Sequence, residues 1–296
     1  MPCGHGMLHS WPWQITGEVI MSATTTTTDI DIDALKTRLR ATWMDGNYDY
    51  FSRFMQSSAA EFLDRLDVRP GATLLDVACG SGQLALIAAR RGVRVTGVDI
   101  ATNSIVAARG RATSEGLDAR FDEGDAEALP YPDGSFDVVA SIYGAMFAPR
   151  PERVAAEILR VCRPGGTIAM GNWTKEGFIG KMFKTFARFI APPGMPAPVL
   201  WGDESVVRER FGTGLSTLRL TRVNYRFNYP FGPADVVEFF RNYYGPTTRA
   251  FAALGETDRA TLRAELVDLW TSHNLASEPG RTAVDAEYLA VVGVRA

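Results

Sequence analysis

The 296-residue chain has little cysteine, little histidine, no excess of basic charge and no long apolar run. Each shortage closes off a class of function. The three cysteines, Cys3, Cys79 and Cys162, stand far apart without metal-ligand spacing. Neither a disulfide framework nor a cysteine-held metal is expected, and a reducing cytoplasm is the natural setting. The histidines are His5, His9 and His273. Cys3, His5 and His9 crowd together in a stretch with no helical or strand period, which does not make a metal site, and no other metal-ligand constellation appears. Lys and Arg number 31 against 34 Asp and Glu, a net charge of −3, so no overall basic surface invites nucleic acid or an anionic membrane. A run of about eighteen apolar residues, enough to span a bilayer, is missing.

The weak apolar stretch near the N-terminus has no basic residues before it, so no secretory signal is expected. Thr24 to Thr28 is an unbroken threonine tract just after Met21. We expect residues 1–29 to be a disordered extension and translation to start at Met21. What remains is ordinary globular material, 46% apolar, suited to one α/β domain with an embellishment, or to two lobes.

The most informative run is Leu74-Leu75-Asp76-Val77-Ala78-Cys79-Gly80-Ser81-Gly82. An apolar strand ends near Asp76, and a turn built on Gly80 and Gly82 leads into the helical stretch from Gln83 to Ala89. Glycines let the backbone approach a ligand closely, and the helix start offers free N–H groups. The spacing Gly80-x-Gly82-x-x-Ala85 also fits a dinucleotide fingerprint, with Asp99 placed as a ribose-binding acid. Asp76 argues against that reading, because a carboxylate at the base of the turn would repel a pyrophosphate but welcome a cation or an amine.

Three later segments follow in order. Arg94 to Ile100 is a β-rich run ending in Asp99, placed to accept ribose hydroxyl protons, a need shared by NAD and other nucleosides. Glu123-Gly124-Asp125-Ala126-Glu127-Ala128-Leu129-Pro130 precedes the turn Asp133-Gly134 and a strand opened by Asp137. Arg160 to Met170 contains Pro164-Gly165-Gly166, where a helix is expected to stop and a strand to begin.

In this order and spacing the four segments resemble the class I S-adenosylmethionine (SAM) methyltransferases, and within them the broad ubiquinone/menaquinone-biosynthesis type that also supplies natural-product tailoring enzymes. Ala78 departs from the pattern, which more often has glycine there. The resemblance covers roughly residues 45–175. It implies SAM as cofactor, held by Asp76, Ala78, Cys79, Gly80, Gly82 and Gln83 around the first turn. Asp99 and Ile100 follow the second strand, Asp125 and Ala126 face the adenine, and Ser141 ends the fourth strand. Cys79 reads as a small residue fitted to the turn rather than a nucleophile.

The fold expected is a Rossmann-like, doubly wound, seven-stranded α/β sheet, mostly parallel with an antiparallel last strand. Strands are expected near 73–77, 94–99, 119–122, 136–142, 166–171, 217–228 and 287–295, with helices near 82–91, 102–115 and 151–162. Residues 30–68 form an N-terminal helical lid, 69–172 the SAM-binding core, and 173–296 an acceptor-side cap plus the last strands. Tyr48, Tyr50 and Phe51 are candidates to lie over the methionine or the acceptor. Phe178 to Phe189 and the helical stretches after Pro233 supply many aromatics, which suit an apolar acceptor pocket as well as plain packing.

The activity implied is methyl transfer to an O, N, S or C nucleophile of a small apolar or aromatic molecule, by in-line displacement with alignment and exclusion of water. A base is scarce: His273, Tyr143 and Tyr243 are the candidates, with Tyr244 a further hydroxyl. No metal is implied. Ser141-Ile142-Tyr143-Gly144 does not match the Asn/Asp-Pro-Pro-aromatic tetrad of nucleic-acid amino methyltransferases. Rival readings are a SAM-binding protein without transfer, a nucleic-acid methyltransferase and, more distantly, an NAD-dependent oxidoreductase.

Overall fold

Among the residues described by the computed structural model, 31–191 and 194–296, seven strands join in one sheet. They are β1 (Thr73–Val77), β2 (Arg94–Asp99), β3 (Ala119–Glu123), β4 (Phe136–Ile142), β5 (Cys162–Trp173), β6 (Leu215–Tyr229) and β7 (Thr282–Arg295). The order is β3-β2-β1-β4-β5-β7-β6. Strands β1 to β5 are parallel, and β7 runs antiparallel between β5 and β6. This is the expected Rossmann-like sheet with its last strand reversed. The residues 1–29, the start at Met21 and the Cys3, His5, His9 group lie outside the described residues.

Both faces of the sheet are covered, and the strands read accordingly. Leu74, Leu75 and Val77 of β1 are all fully buried, the continuous apolar run expected of a central parallel strand. Burying each such side chain contributes roughly 1.5–3 kcal/mol. Helices α1 (Ile32–Trp43), α2 (Tyr48–Ser52) and α3 (Gln56–Asp64) precede the sheet. Asp31 caps α1 by accepting from the Ala34 N–H at 2.9 Å, and Asn47 caps α2 through the Tyr50 N–H at 3.1 Å. Crossover helices α4 (Gln83–Arg90), α5 (Thr102–Ser114) and α6 (Pro151–Val161) follow β1, β2 and β4. In α6, Pro151 sits at the start, and Val154, Ala155, Ile158 and Val161 form the buried stripe.

After β5 come α7 (Phe178–Phe186) and α8 (Glu204–Phe211). Between β6 and β7 come α9 (Pro233–Tyr243), α10 (Gly245–Ala253) and α11 (Glu256–Ser272). Trp270 of α11 is buried against Phe178 of α7 and Phe240 of α9, with ring centroids 4.4 and 5.3 Å apart. That contact ties the two cap segments together. All of this, Asp31 to Ala296, is one compact unit.

Strands β5 to β7 differ from expectation at their ends. Helix α6 stops at Val161, before Pro164, and β5 begins at Cys162, which pairs with Phe136. The register then shifts, so that Val138 faces Thr167 and Arg163 to Gly166 bulge out. An Arg163–Asp137 ion pair at 2.5 Å and an Arg295 hydrogen bond to the Cys162 carbonyl hold this edge. The ribbon of β6 and β7 runs longer than expected because their pairing continues to Tyr229 and Thr282. Arg226 and Asp285 clasp across it at 2.7 Å.

Candidate active site

In a doubly wound sheet the chain leaves opposite faces on either side of the switch in strand order, here between β1 and β4, and a crevice opens at the strand ends. Three adjoining cavities lie at that place. The first is bordered by Gly80, Asp99, Ile100, Asp125, Ala126 and Lys36 among others. A second includes Asp76, Ala78, Cys79, Gly80, Gln83 and Ser52 on its wall. The third lies beneath the cap and is lined almost wholly by aromatic and aliphatic side chains. Tyr48 and Tyr143 belong to the walls of all three, so the cavities meet at these two rings.

The turn after β1 is locked to the end of β2. The Asp99 carboxylate accepts the Gly80 N–H and the Ala101 N–H, each at 2.8 Å. Ala78 and Tyr143 have positive φ, 56° and 58°, in the left-handed region that a side chain rarely adopts. The two turns touch: a Cβ on Gly144 would stand 2.4 Å from the Ala78 carbonyl oxygen. At Gly80, with φ 54°, a Cβ would stand 2.9 Å from the Tyr48 ring. Backbone strain is thus concentrated at the strand ends that frame the crevice.

Two carboxylates here lack a cation. Asp76 is 1% exposed and accepts one backbone N–H, that of Ala85, at 3.1 Å. Burial, partly offset by that hydrogen bond and reinforced by nearby Asp99, pushes its carboxyl up to about 8. Burial also raises Asp99, against the backbone donors that hold it. No described Lys, Arg or His forms an ion pair with either. Such a pair attracts a cationic or hydroxyl-rich ligand, since positive charge would relieve the desolvated carboxylates.

Asp125 is differently placed. Lys36 of α1 reaches it at 2.5 Å and Glu127 at 2.6 Å, and Arg150 binds Glu127 at 2.6 Å. A helix preceding the core is thereby pinned over the first cavity. Lys36 was not among the expected site residues, because a contact across 89 positions leaves no local mark.

The other expected residues separate. Ile100 and Ala126 border the first cavity, and Cys79 and Gln83 the second. Gln83 donates to the Ser52 and Ser81 hydroxyls. The Cys79 thiol is pushed well up by burial and the neighbouring carboxylates, so it stays protonated. Gly82 starts α4 against the Phe121 ring and is on none of these walls. Ser141 is buried and accepts the Ala145 N–H at 3.0 Å, also away from the walls. Tyr143 stacks on Trp173 at 3.8 Å, and its hydroxyl shares a 2.7 Å hydrogen bond with Ser58. His273 lies at the end of α11 beside Lys181 (3.0 Å) and Phe178, off all three cavities. Tyr243 packs against Tyr50, which is itself 41% exposed, and neither ring lines any of these three cavities. Among the described residues no cluster of His, Cys, Asp or Glu has the makings of a metal site.

Comparison with known proteins adds to this geometry. A family model described as a methyltransferase domain matches residues 75–170. An uncharacterized protein of Mycobacterium tuberculosis is 38% identical over 231 residues, 77% of this chain and 83% of that protein. Methyltransferase GfsG of Streptomyces halstedii is 37% identical over 139 residues, 46% of this chain and 50% of that one. The fold also resembles phosphoethanolamine N-methyltransferase 2 of Haemonchus contortus in complex with S-adenosyl-L-methionine. That match has a TM-score of 0.54 at 17% identity and covers 81% of this chain and 52% of that one.

Proposed function

This chain belongs to the class I SAM-dependent methyltransferases, and we propose that it methylates a small apolar or aromatic molecule seated in the cavity beneath the cap. SAM is the cofactor, and when bound it supplies a methyl group activated by a sulfonium. The observation that supports the reading best is the joining of three cavities at Tyr48 and Tyr143, one bordered by the unpaired buried Asp76, one by Asp99 and Asp125, and one by aromatic and aliphatic side chains alone.

The residues divide the work by their chemistry. Asp76, with the turn through Ala78, Cys79 and Gly80, takes the cationic amino-acid end, since the buried carboxylate has no other positive partner. Asp99 accepts ribose hydroxyl protons while its backbone donors keep it oriented. Asp125, the Ala126 N–H and the side chain of Ile100 take the adenine. Lys36 positions Asp125 and closes α1 over this end. Gln83 acts through the Ser52 and Ser81 hydroxyls, holding α2 to the turn. Tyr143 and Tyr48 divide the cofactor side from the acceptor side, and the cap excludes water, which aids an aligned displacement.

Incubating the protein with methyl-labelled SAM and a panel of apolar phenols, quinols, amines and thiols tests this. Label transferred to an acceptor, with one S-adenosylhomocysteine formed per methyl, is the expected result. Tight SAM binding with no S-adenosylhomocysteine from any acceptor would favour a binding protein instead.

A further inference from the structure

The cavity beneath the cap is lined by rings from distant parts of the chain. Trp43 of α1, Tyr48 of α2, Phe147, Trp173 of β5, Phe240 of α9 and Tyr244 all line it. Their ring centroids interlock: Trp43 lies 5.0 Å from Phe147 and 5.8 Å from Tyr244, and Tyr48 lies 6.4 Å from Tyr244. The remaining lining residues are apolar, except for the hydroxyl of Tyr143. No Asp, Glu, His, Lys, Arg or Cys borders the cavity among the described residues.

Three consequences follow from that lining. A proton cannot leave through a side chain, because the only ionisable groups are tyrosines and burial raises Tyr48, Tyr143 and Tyr244 above the ordinary range. An anionic nucleophile finds no counter-charge in the lining, where the donor's sulfonium is the one positive group it meets, and no polar side chain other than tyrosine replaces its hydration. A charge of the opposite sign is favoured, since aromatic faces attract cations most strongly where water is excluded.

We propose, resting on the methyltransferase reading above, that the acceptor atom is an uncharged nitrogen of an apolar molecule, with the aromatic cage stabilising the cation formed on it. The new N–C bond forms as the C–S bond breaks, the bonding pair returns to sulfur, and the positive charge moves from sulfonium to nitrogen. When the nitrogen carries no hydrogen, no proton is released and no base is needed. Methylating an un-ionised hydroxyl or thiol under the same conditions must release one proton. Asp76 and Asp99 stand on the walls of the other two cavities and not on this one.

Isoquinoline, naphthol and naphthalenethiol are flat probes of nearly equal shape that separate the cases. SAM affinity is measured first by calorimetry, and its absence would overturn the methyltransferase reading together with this one. With SAM bound, isoquinoline is expected to be the fastest acceptor, giving N-methylisoquinolinium without acidifying a weakly buffered solution. Faster turnover of naphthol or naphthalenethiol would overturn the inference and leave the methyltransferase reading standing. So would SAM binding with no turnover of isoquinoline.

A binding measurement is independent of turnover. In the presence of S-adenosylhomocysteine, N-methylisoquinolinium is expected to bind more tightly than naphthalene. Phe240→Leu should weaken the cation roughly fivefold and naphthalene by clearly less, while Phe240→Tyr restores the cation and both variants keep wild-type SAM affinity. Equal affinity for the cation and naphthalene, or equal loss of both in Phe240→Leu, would contradict the cage.

Discussion

Replacing Asp76 with Asn should make the empty protein more stable and the cofactor weaker, with both effects set by pH. The carboxyl is 1% exposed, and burial first, then Asp99, against the Ala85 N–H, raises it from 3.8 to about 8. The folded protein therefore keeps a proton on Asp76 that the unfolded chain loses as pH climbs from about 4. Stability from the neutral form is complete below the unfolded value and fades as pH rises through about 8. The difference of about four pKa units corresponds to an upper bound on the order of 5 kcal/mol. Asn has no charge to desolvate and still accepts from Ala85, so the variant escapes this loss. Its Tm should exceed wild type by several degrees at about pH 8.5 and match it near about pH 4.

Binding runs the other way. Losing a buried ion pair costs about 3 kcal/mol, but below about pH 8 the wild type must first expel the proton, at about 1.4 kcal/mol per pH unit. The variant should thus bind SAM about tenfold more weakly at about pH 7 and more than a hundredfold more weakly above about pH 8. Calorimetry at both pH values, with thermal melts of the empty protein, measures each arm. Equal affinities at both pH values, with no gain in Tm, would refute the assignment of Asp76 as an unpaired acid awaiting a cation.

Other substitutions probe the surrounding parts. Lys36→Met leaves Asp125 without its cation, while Arg150 still serves Glu127. It should cost about 1–3 kcal/mol and speed hydrogen exchange across α1, and unchanged melting and exchange would show that α1 is held by other contacts. Gly144→Ala drives a methyl against the Ala78 carbonyl and should lower stability by about 2 kcal/mol or more, weakening SAM binding as the two turns part; a variant as stable as wild type would show that these turns yield. His273→Gln should leave kcat unchanged because the ring is off the cavity walls, and a loss of more than about tenfold would restore it as a base.

What the sequence carried and what it did not follow a physical division. Asp76, Gly80 and Asp99 could be recognised because strand, turn and helix are adjacent in the chain, and the turn's chemistry demands those residue types locally. Strand β7 was visible as an apolar C-terminal run, and its reversal came from the family resemblance. The Lys36–Asp125 pair and the convergence of Trp43, Phe147, Trp173 and Phe240 on one cavity are contacts between distant segments, and no periodicity records them. Gly82 and Ser141 share the motif's spacing, yet one packs on Phe121 and the other holds the Ala145 N–H. Spacing marks a motif, while the wall of a cavity is decided by packing. His273 drew notice through rarity alone, and its place beside Lys181 and Phe178 follows from how α11 meets α7.

The central claim is that this crevice binds SAM with Asp76 on the wall of one cavity and Asp99 on the wall of the next. Calorimetric titration of the purified chain with SAM, S-adenosylhomocysteine and NAD tests it most directly. One site for each of the first two, and no heat from NAD, is the result this account expects. Binding of NAD, or none of SAM, would contradict it.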